Sequence, residues 1–275
     1  MLRTRFITAV IALPLVILAV WFNSPVPWFT VAAALIGLLG AEEYFRITDI
    51  RHSTFLRVAG DIFTVLLIIH SHYDRHYTLP VLLGAGVIIS FAVTVWREHD
   101  QGKYIRWSWM MLGSLYIGWL LSLLVYLRLV SGVSAQPELG RNLVFLALFM
   151  TFGTDTFAYL VGKALGRHKM APAISPGKTW EGAAGGLIGA LIVGWIFTLD
   201  WPLQVPLPLW QALLLGGLVS IFAQLGDLAE SLLKRLAGVK DSGSLMPGHG
   251  GMLDRIDSVL PAGAIVYLFY FFFIL

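Results

Sequence analysis

Ser231-Leu-Leu-Lys234-Arg235-Leu-Ala-Gly-Val-Lys240-Asp241-Ser-Gly243-Ser-Leu-Met246-Pro247-Gly-His249-Gly250-Gly251-Met-Leu-Asp254-Arg255-Ile-Asp257 is the stretch on which the reading of the chain turns. These 27 residues gather Lys234, Arg235, Lys240, Asp241, His249, Asp254, Arg255 and Asp257, although only 13% of the whole chain is charged. Lipid-facing surface does not carry charge at such density. Lys and Arg match phosphate oxygens, and Asp carboxylates hold hard divalent cations such as Mg²⁺, which bridge phosphates. The run from Pro247 to Gly251 lets backbone approach a ligand and turn its N–H groups toward anionic oxygens, because glycine has no Cβ in the way. Together these residue types predict a metal-assisted phosphate site. A solvated charged loop would account for the charges but not for the glycines or the repeated Asp.

The surroundings of the stretch are apolar. The chain has 275 residues, 57% of them hydrophobic, and a mean hydropathy of +0.78, which excludes an ordinary soluble domain. The expected fold class is all-α, a polytopic integral membrane helical bundle forming one membrane-embedded domain over 1–275. A formal charge of +3 is too small to argue for nucleic acid. Cysteine is absent, so disulfides and thiolate metal sites are excluded.

Apolar runs near bilayer length predict about nine transmembrane helices, at roughly 6–22, 27–41, 55–72, 78–96, 107–130, 142–161, 183–199, 209–229 and 258–275. The first follows Arg3 and Arg5 but ends in Trp-Phe-Asn-Ser, without the small-x-small pattern of a cleaved signal, so it reads as a retained span. The second is short and Gly-rich. With the N-terminus cytoplasmic, sixteen of the nineteen Lys and Arg fall in inside segments and only Arg75, Arg128 and Arg141 outside, which the positive-inside rule favours. That orientation puts the 231–257 loop in the cytoplasm, where nucleotides are. Gly182, Gly186 and Ala190 have the small-x-x-x-small spacing that suits close helix packing.

Several charges fall where lipid would penalise them. Asp155 lies inside the sixth expected span, on the order of 10 Å below the interface, and is expected to face a polar cavity; the competing reading is a packing Asp satisfied by Thr151 or Thr154. Asp227, Glu230 and Lys234 share one helical face at i, i+3 and i+7, and Asp254 and Asp257 are spaced i, i+3 at the start of the last span. If the two helices are neighbours, Asp227 and Asp254 meet at one depth and suit a cation on a triphosphate; an ion-pair network with Lys234 and Arg255 is the competitor. The 162–181 loop adds Lys163, Arg167, His168, Lys169, Ser175 and Lys178. Gly177-Lys178-Thr179 is not a P-loop, since position 172 is Pro rather than Gly and no strand precedes it. His70, His72 and His76 read as interfacial.

The segment from Ser231 to Asp257 resembles the signature of the phosphatidate cytidylyltransferase, or CDP-diacylglycerol synthase, family at Ser231, Lys234-Arg235, Lys240-Asp241, Gly243, Pro247, His249-Gly250-Gly251, Asp254-Arg255 and Asp257. Met246 departs from it, the family more often having Ile, Leu or Phe there. Ser175-Pro-Gly-Lys-Thr-Trp-Glu-Gly182 is similar to a second block of the family, and Asp155 with Gly162-Lys163 to a third. The resemblance is strongest from about Phe152 to the C-terminus; residues 1–150 match it only in being hydrophobic.

The resemblance implies a membrane nucleotidyltransferase of phospholipid biosynthesis that converts phosphatidate and CTP to CDP-diacylglycerol and pyrophosphate. It further implies an inner-membrane, multi-pass location with the site facing the cytoplasm, and a homodimer. Asp155, Lys178, Asp227 and Asp254 would then be catalytic, with Asp227 and Asp254 on Mg²⁺ and room for a second cation such as K⁺. Lys163, Ser175, Lys234, Arg235, Lys240, Asp241, His249, Gly250, Gly251, Arg255 and Asp257 would bind substrate. Two rivals stand beside it: a CTP-dependent polyprenol or dolichol kinase, and an ion-coupled secondary transporter with Asp155 and Asp227 as cation sites. The transporter leaves the long basic, Gly-rich loop unexplained.

Overall fold

The computed structural model describes residues 2–72, 78–97, 101–130, 138–243 and 250–275, and of residues 2–9, 11 and 49 the backbone alone. The described elements are nearly all helical. In order they are α1 (Leu2–Trp21), α2 (Trp28–Ile47), α3 (Thr54–Ile69), α4 (Thr78–Arg97), α5 (Lys103–Gly113), a π-helical turn (Ser114–Trp119), α6 (Leu120–Arg128) and α7 (Leu139–Leu165). Strands β1 (Lys169–Ala171) and β2 (Ser175–Thr179) follow, then α8 (Trp180–Ile196), α9 (Leu209–Leu236), α10 (Leu253–Ile256) and α11 (Val259–Phe273).

Among the described residues, seven helical segments are long and apolar enough to cross a membrane: Trp28–Ile47, Thr54–His72, Thr78–Arg97, Lys103–Arg128, Leu139–Leu165, Leu209–Leu236 and Leu253–Phe273. Two further expected spans correspond to α8 and α1, the latter a 20-residue helix of which Ala12–Trp21 is described with its side chains. The former, Trp180–Ile196, has 17 residues. The second span, expected to stop at residue 41, runs on through Glu42 and Glu43 to Ile47. Glu is a good helix former, and Glu42 pairs with Arg46 one turn later at 2.9 Å, so the acids continue the helix instead of ending it.

The chain divides into two compact units, one of residues 1–125 with 241–254 and one of 126–240 with 255–275. In the first, Phe45, Leu56, Leu67, Ile68, Met110 and Ile117 are fully buried. Glycines make room for its rings: a Cβ on Gly60 would lie 2.6 Å from Phe45 Cζ, and one on Gly113 2.5 Å from Tyr44 Cε1. Ser114 donates to the Gly60 carbonyl at 3.0 Å, tying the π-helical turn to α3.

In the second unit α7 and α8 meet along a glycine seam. A Cβ on Gly189 would come 2.5 Å from the Gly153 carbonyl oxygen, on Gly185 2.6 Å from Val161 Cβ, and on Gly182 2.8 Å from the Ala158 oxygen. Ala190 is fully buried, and its carbonyl oxygen lies 2.9 Å from where a Gly216 Cβ would stand on α9. The small-x-x-x-small spacing is therefore a packing device: between apolar helices in lipid, close backbone approach replaces the hydrophobic drive available in water. Gly189→Leu is expected to destabilise the protein by about 1–3 kcal/mol through overpacking. Gly217→Ala, whose Cβ would meet nothing nearer than 3.9 Å, is expected to be neutral or stabilising. Denaturation of both variants in the same detergent measures the contrast.

Candidate active site

Within the 162–181 segment, a loop by its sequence, residues 169–179 fold as a two-stranded antiparallel ribbon between the end of α7 and the start of α8, with Lys169 opposite Thr179 and Ala171 opposite Ser175. Its base is fastened to α8. Thr179, with extended backbone, accepts the Gly182 N–H at 3.1 Å and caps the helix. Glu181 accepts from the N–H groups of Arg167 and His168 at 3.1 and 3.2 Å and pairs with the His168 ring at 2.6 Å.

The ribbon is also hooked to α9 at two points. Lys178 Nζ reaches Asp227 Oδ2 at 2.9 Å, and Arg235 Nε donates to the Ile174 carbonyl at 3.1 Å. From Ile174 to Lys178 is about 13 Å of strand, and from Asp227 to Arg235 about 12 Å of helix. The ribbon therefore runs along two turns of α9, antiparallel to it. This seats an ammonium on a carboxylate of an apolar helix, with side chains 21% and 36% exposed and so still open to a ligand.

Other charges of the second unit collect around this pair. Asp155 lies within electrostatic reach of Asp227, Lys178 and Arg255, and Asp257 within reach of Asp227, Asp155 and Lys234. Thr151 and Thr154 give their hydroxyls to the carbonyls of Ala147 and Met150, at 2.8 and 2.9 Å, so neither is the partner of Asp155, which is exposed. Gly226 allows Pro261 close enough that a Cβ would stand 2.6 Å from its Cγ, which brings α9 and the start of α11 together beside Asp227. Asp257 is buried and accepts the Ser258 N–H at 2.7 Å. Glu230 and Lys234 form a mostly buried pair at 2.5 Å.

The remaining expected residues are less concentrated. Lys163 is exposed beside the Tyr159 ring, Ser175 is half-buried in β2, and Lys240, Asp241 and Arg255 are exposed. Arg235 gives Nε and Nη1 to the carbonyls of Ile174 and Val239, so part of its guanidinium holds the protein together. His249 lies outside the described residues.

In the first unit, Asp254 Oδ2 accepts from the Ser242 N–H at 3.1 Å and the Gly251 N–H at 2.8 Å, and shares with Glu43 the single Ser242 hydroxyl proton, its oxygen 3.1 Å away. The N–H of Gly251, expected to face phosphate, is thus turned to an internal carboxylate. Gly250 has φ +82°, a conformation open to glycine, and lies against the same Asp254 oxygen. Glu43, on α2, is a residue sequence reasoning passed over. Buried at 7% exposure, it accepts the Ser242 hydroxyl and the Leu253 N–H, each at 2.9 Å. The available signal was an acidic pair, Glu42-Glu43, against an apolar span.

Among the described residues no three His, Asp or Glu side chains converge closely enough to hold a metal by themselves. Mg²⁺ usually takes one or two carboxylates and completes its octahedron with waters and substrate phosphates. Asp155, Asp227 and Asp257, within electrostatic reach of one another in the second unit, are of the donor type such an ion takes.

A family model described as the cytidylyltransferase family matches residues 3–273. The chain belongs to that family. Phosphatidate cytidylyltransferases of Brucella abortus and Pseudomonas aeruginosa are each 36% identical to it, over 269 and 268 residues that cover 98% and 95% of this chain and 93% and 94% of theirs. That of Bacillus subtilis is 33% identical over 264 residues, 94% of each chain. The cytidylyltransferase match thus includes the N-terminal half, where sequence reading found only hydrophobicity, and with it the helix that carries Glu43.

Proposed function

We propose that this cytidylyltransferase joins phosphatidate and CTP to give CDP-diacylglycerol and pyrophosphate in phospholipid biosynthesis. The observation that carries the reading is the Lys178–Asp227 pair, set among Asp155, Asp257 and Arg255 in a membrane protein related over nearly its whole length to phosphatidate cytidylyltransferases.

A phosphatidate oxygen attacks the α-phosphorus of CTP. A new P–O–P bond forms, the bond from the α-phosphorus to the α,β-bridging oxygen breaks, and pyrophosphate leaves with the electron pair. The nucleophile is already an anion, so the work is to bring two anions together in line. Lys178, held by Asp227, offers its ammonium to the triphosphate. Lys234, Lys240 and Arg255 neutralise further phosphate charge, as does the part of Arg235 not bound to carbonyls. Asp155 and Asp257 fix the placement of these cations, while Lys163, Ser175, Asp241, His249 and Gly250 complete the substrate contacts, with Gly251 serving the substrate through the Asp254 carboxylate that its N–H holds. Mg²⁺, with Asp227 and Asp254 as its proposed ligands and room for a second cation such as K⁺, would screen the phosphates from one another. A carboxylate has acceptor sites on two oxygens, so Asp254 can hold its loop and a cation together.

The orientation is N-terminus inside and C-terminus outside, with α1 and α8 completing nine crossings. At about 1.5 Å per residue, the 17 residues of α8 span about 26 Å, slightly under a typical hydrocarbon core. This topology puts the ribbon and the 231–257 loop on the cytoplasmic side of the inner membrane, and the resemblance adds a homodimer.

Purified protein in phosphatidate micelles is expected to release one pyrophosphate per CTP consumed, and none when diacylglycerol or polyprenol replaces phosphatidate. Release of CDP with a polyprenol acceptor would point to the kinase instead, and ion-coupled uptake into liposomes without CTP turnover to a transporter.

A further inference from the structure

The signature loop and α2 are far apart in sequence yet share one buried carboxylate. Glu43 Oε2 takes the Ser242 hydroxyl from 199 residues away and the Leu253 N–H from 210 residues away, both at 2.9 Å. Ser242 Oγ is also 3.1 Å from Asp254 Oδ2, so its oxygen bridges the two acids. Two glycines of the loop are shaped around the same side chain: a Cβ on Gly243 or on Gly251 would stand 2.7 Å from Glu43 Cδ. An acid in an apolar helix persists when it has partners, and charge-assisted hydrogen bonds are the strong ones. Among the described residues, its partners come from the segment that carries Asp254.

We propose that Glu43 is a positioning residue: it pins Ser242 and Leu253 to α2 and, through Ser242, sets the direction in which the Asp254 carboxylate points. The inference rests on the reading of Asp254 as a cation-holding residue. Groups that orient a metal-binding side chain typically change metal affinity or activity by about 10–100-fold when removed. Glu43 differs from an ordinary packing residue in that its loss should be felt in cation dependence before substrate affinity.

The test compares the full-length protein with Glu43→Ala, Glu43→Gln and Ser242→Ala. Glu43→Ala and Ser242→Ala are expected to raise the Mg²⁺ concentration for half-maximal rate by about 10–100-fold, with KM for phosphatidate unchanged. Mn²⁺ binding in the presence of CTP and without lipid acceptor, followed by electron paramagnetic resonance, should weaken in parallel. Hydrogen exchange should quicken at the Gly251 and Leu253 amides while amides of the α7–α8 seam keep their protection. Glu43→Gln, which keeps the volume and one acceptor oxygen, should recover part of each effect, and it carries the test if the alanine variant does not fold. Unchanged Mg²⁺ dependence, Mn²⁺ affinity and Leu253 exchange would overturn the proposal, as would loosening spread evenly over both units. Should the unmodified protein consume no CTP with phosphatidate, the functional reading fails, while Mn²⁺ binding and exchange still decide the place of Glu43.

Discussion

Asp227→Asn is expected to lower kcat by about 10²- to 10³-fold, the scale for removing one preorganised electrostatic contact from a reacting centre. The substitution keeps size and shape but removes the charge that holds Lys178 Nζ at 2.9 Å. Ser231 Oγ, 3.4 Å from Oδ1, is too distant to fix the orientation of the new amide. If Asp227 also holds the cation, the variant loses two functions at once, and extra Mg²⁺ should restore only part of the rate. Initial rates over a Mg²⁺ series measure both. Asp254→Asn tests the second proposed ligand in the same preparation; full activity in both variants would remove the cation assignment.

Lys178→Met is expected to cost at least as much. The ammonium lies within reach of Asp155 and Asp227, and its removal leaves those carboxylates facing an incoming triphosphate with one cation fewer. Lys178→Arg should not rescue the rate: a planar fork in place of a compact charge would have to displace the ribbon, whose position is already fixed by Arg235 on Ile174. Because Lys178 and Asp227 act as a pair, the double variant Lys178→Met, Asp227→Asn should lose much less than the product of the two single losses. Multiplicative losses would mean the two side chains act separately.

Residue chemistry was the part of the site most legible in the sequence. Lys178, Asp227, Asp254 and Asp155 stand out because charges in a chain of mean hydropathy +0.78 need a reason. What periodicity could not supply was pairing across distance. Lys178 and Asp227 are 49 residues apart, and a ribbon with strands of three and five residues is too short to show an alternating pattern. Glu43 was hidden for a related cause: an acid at the end of an apolar run reads as the end of a span, whereas here it lies within a helix reaching Ile47. The glycine-rich stretch was read as a cradle for phosphate. That Gly243 and Gly251 also make room for the Glu43 carboxyl shows only in three dimensions. Helix number was legible where spans are long, and less so at α8, a helix of 17 residues.

The central claim is transfer of a cytidylyl group to a lipid phosphate, and the fate of phosphorus tests it most directly. Purified protein, phosphatidate and Mg²⁺ are incubated with CTP labelled at the α-phosphorus or, separately, at the γ-phosphorus. Cytidylyl transfer puts the α-label in the chloroform phase as a cytidine-containing lipid and the γ-label in pyrophosphate, with both transfers abolished when phosphatidate is omitted. Lipid carrying the γ-label, with the α-label left in water as CDP, would contradict it.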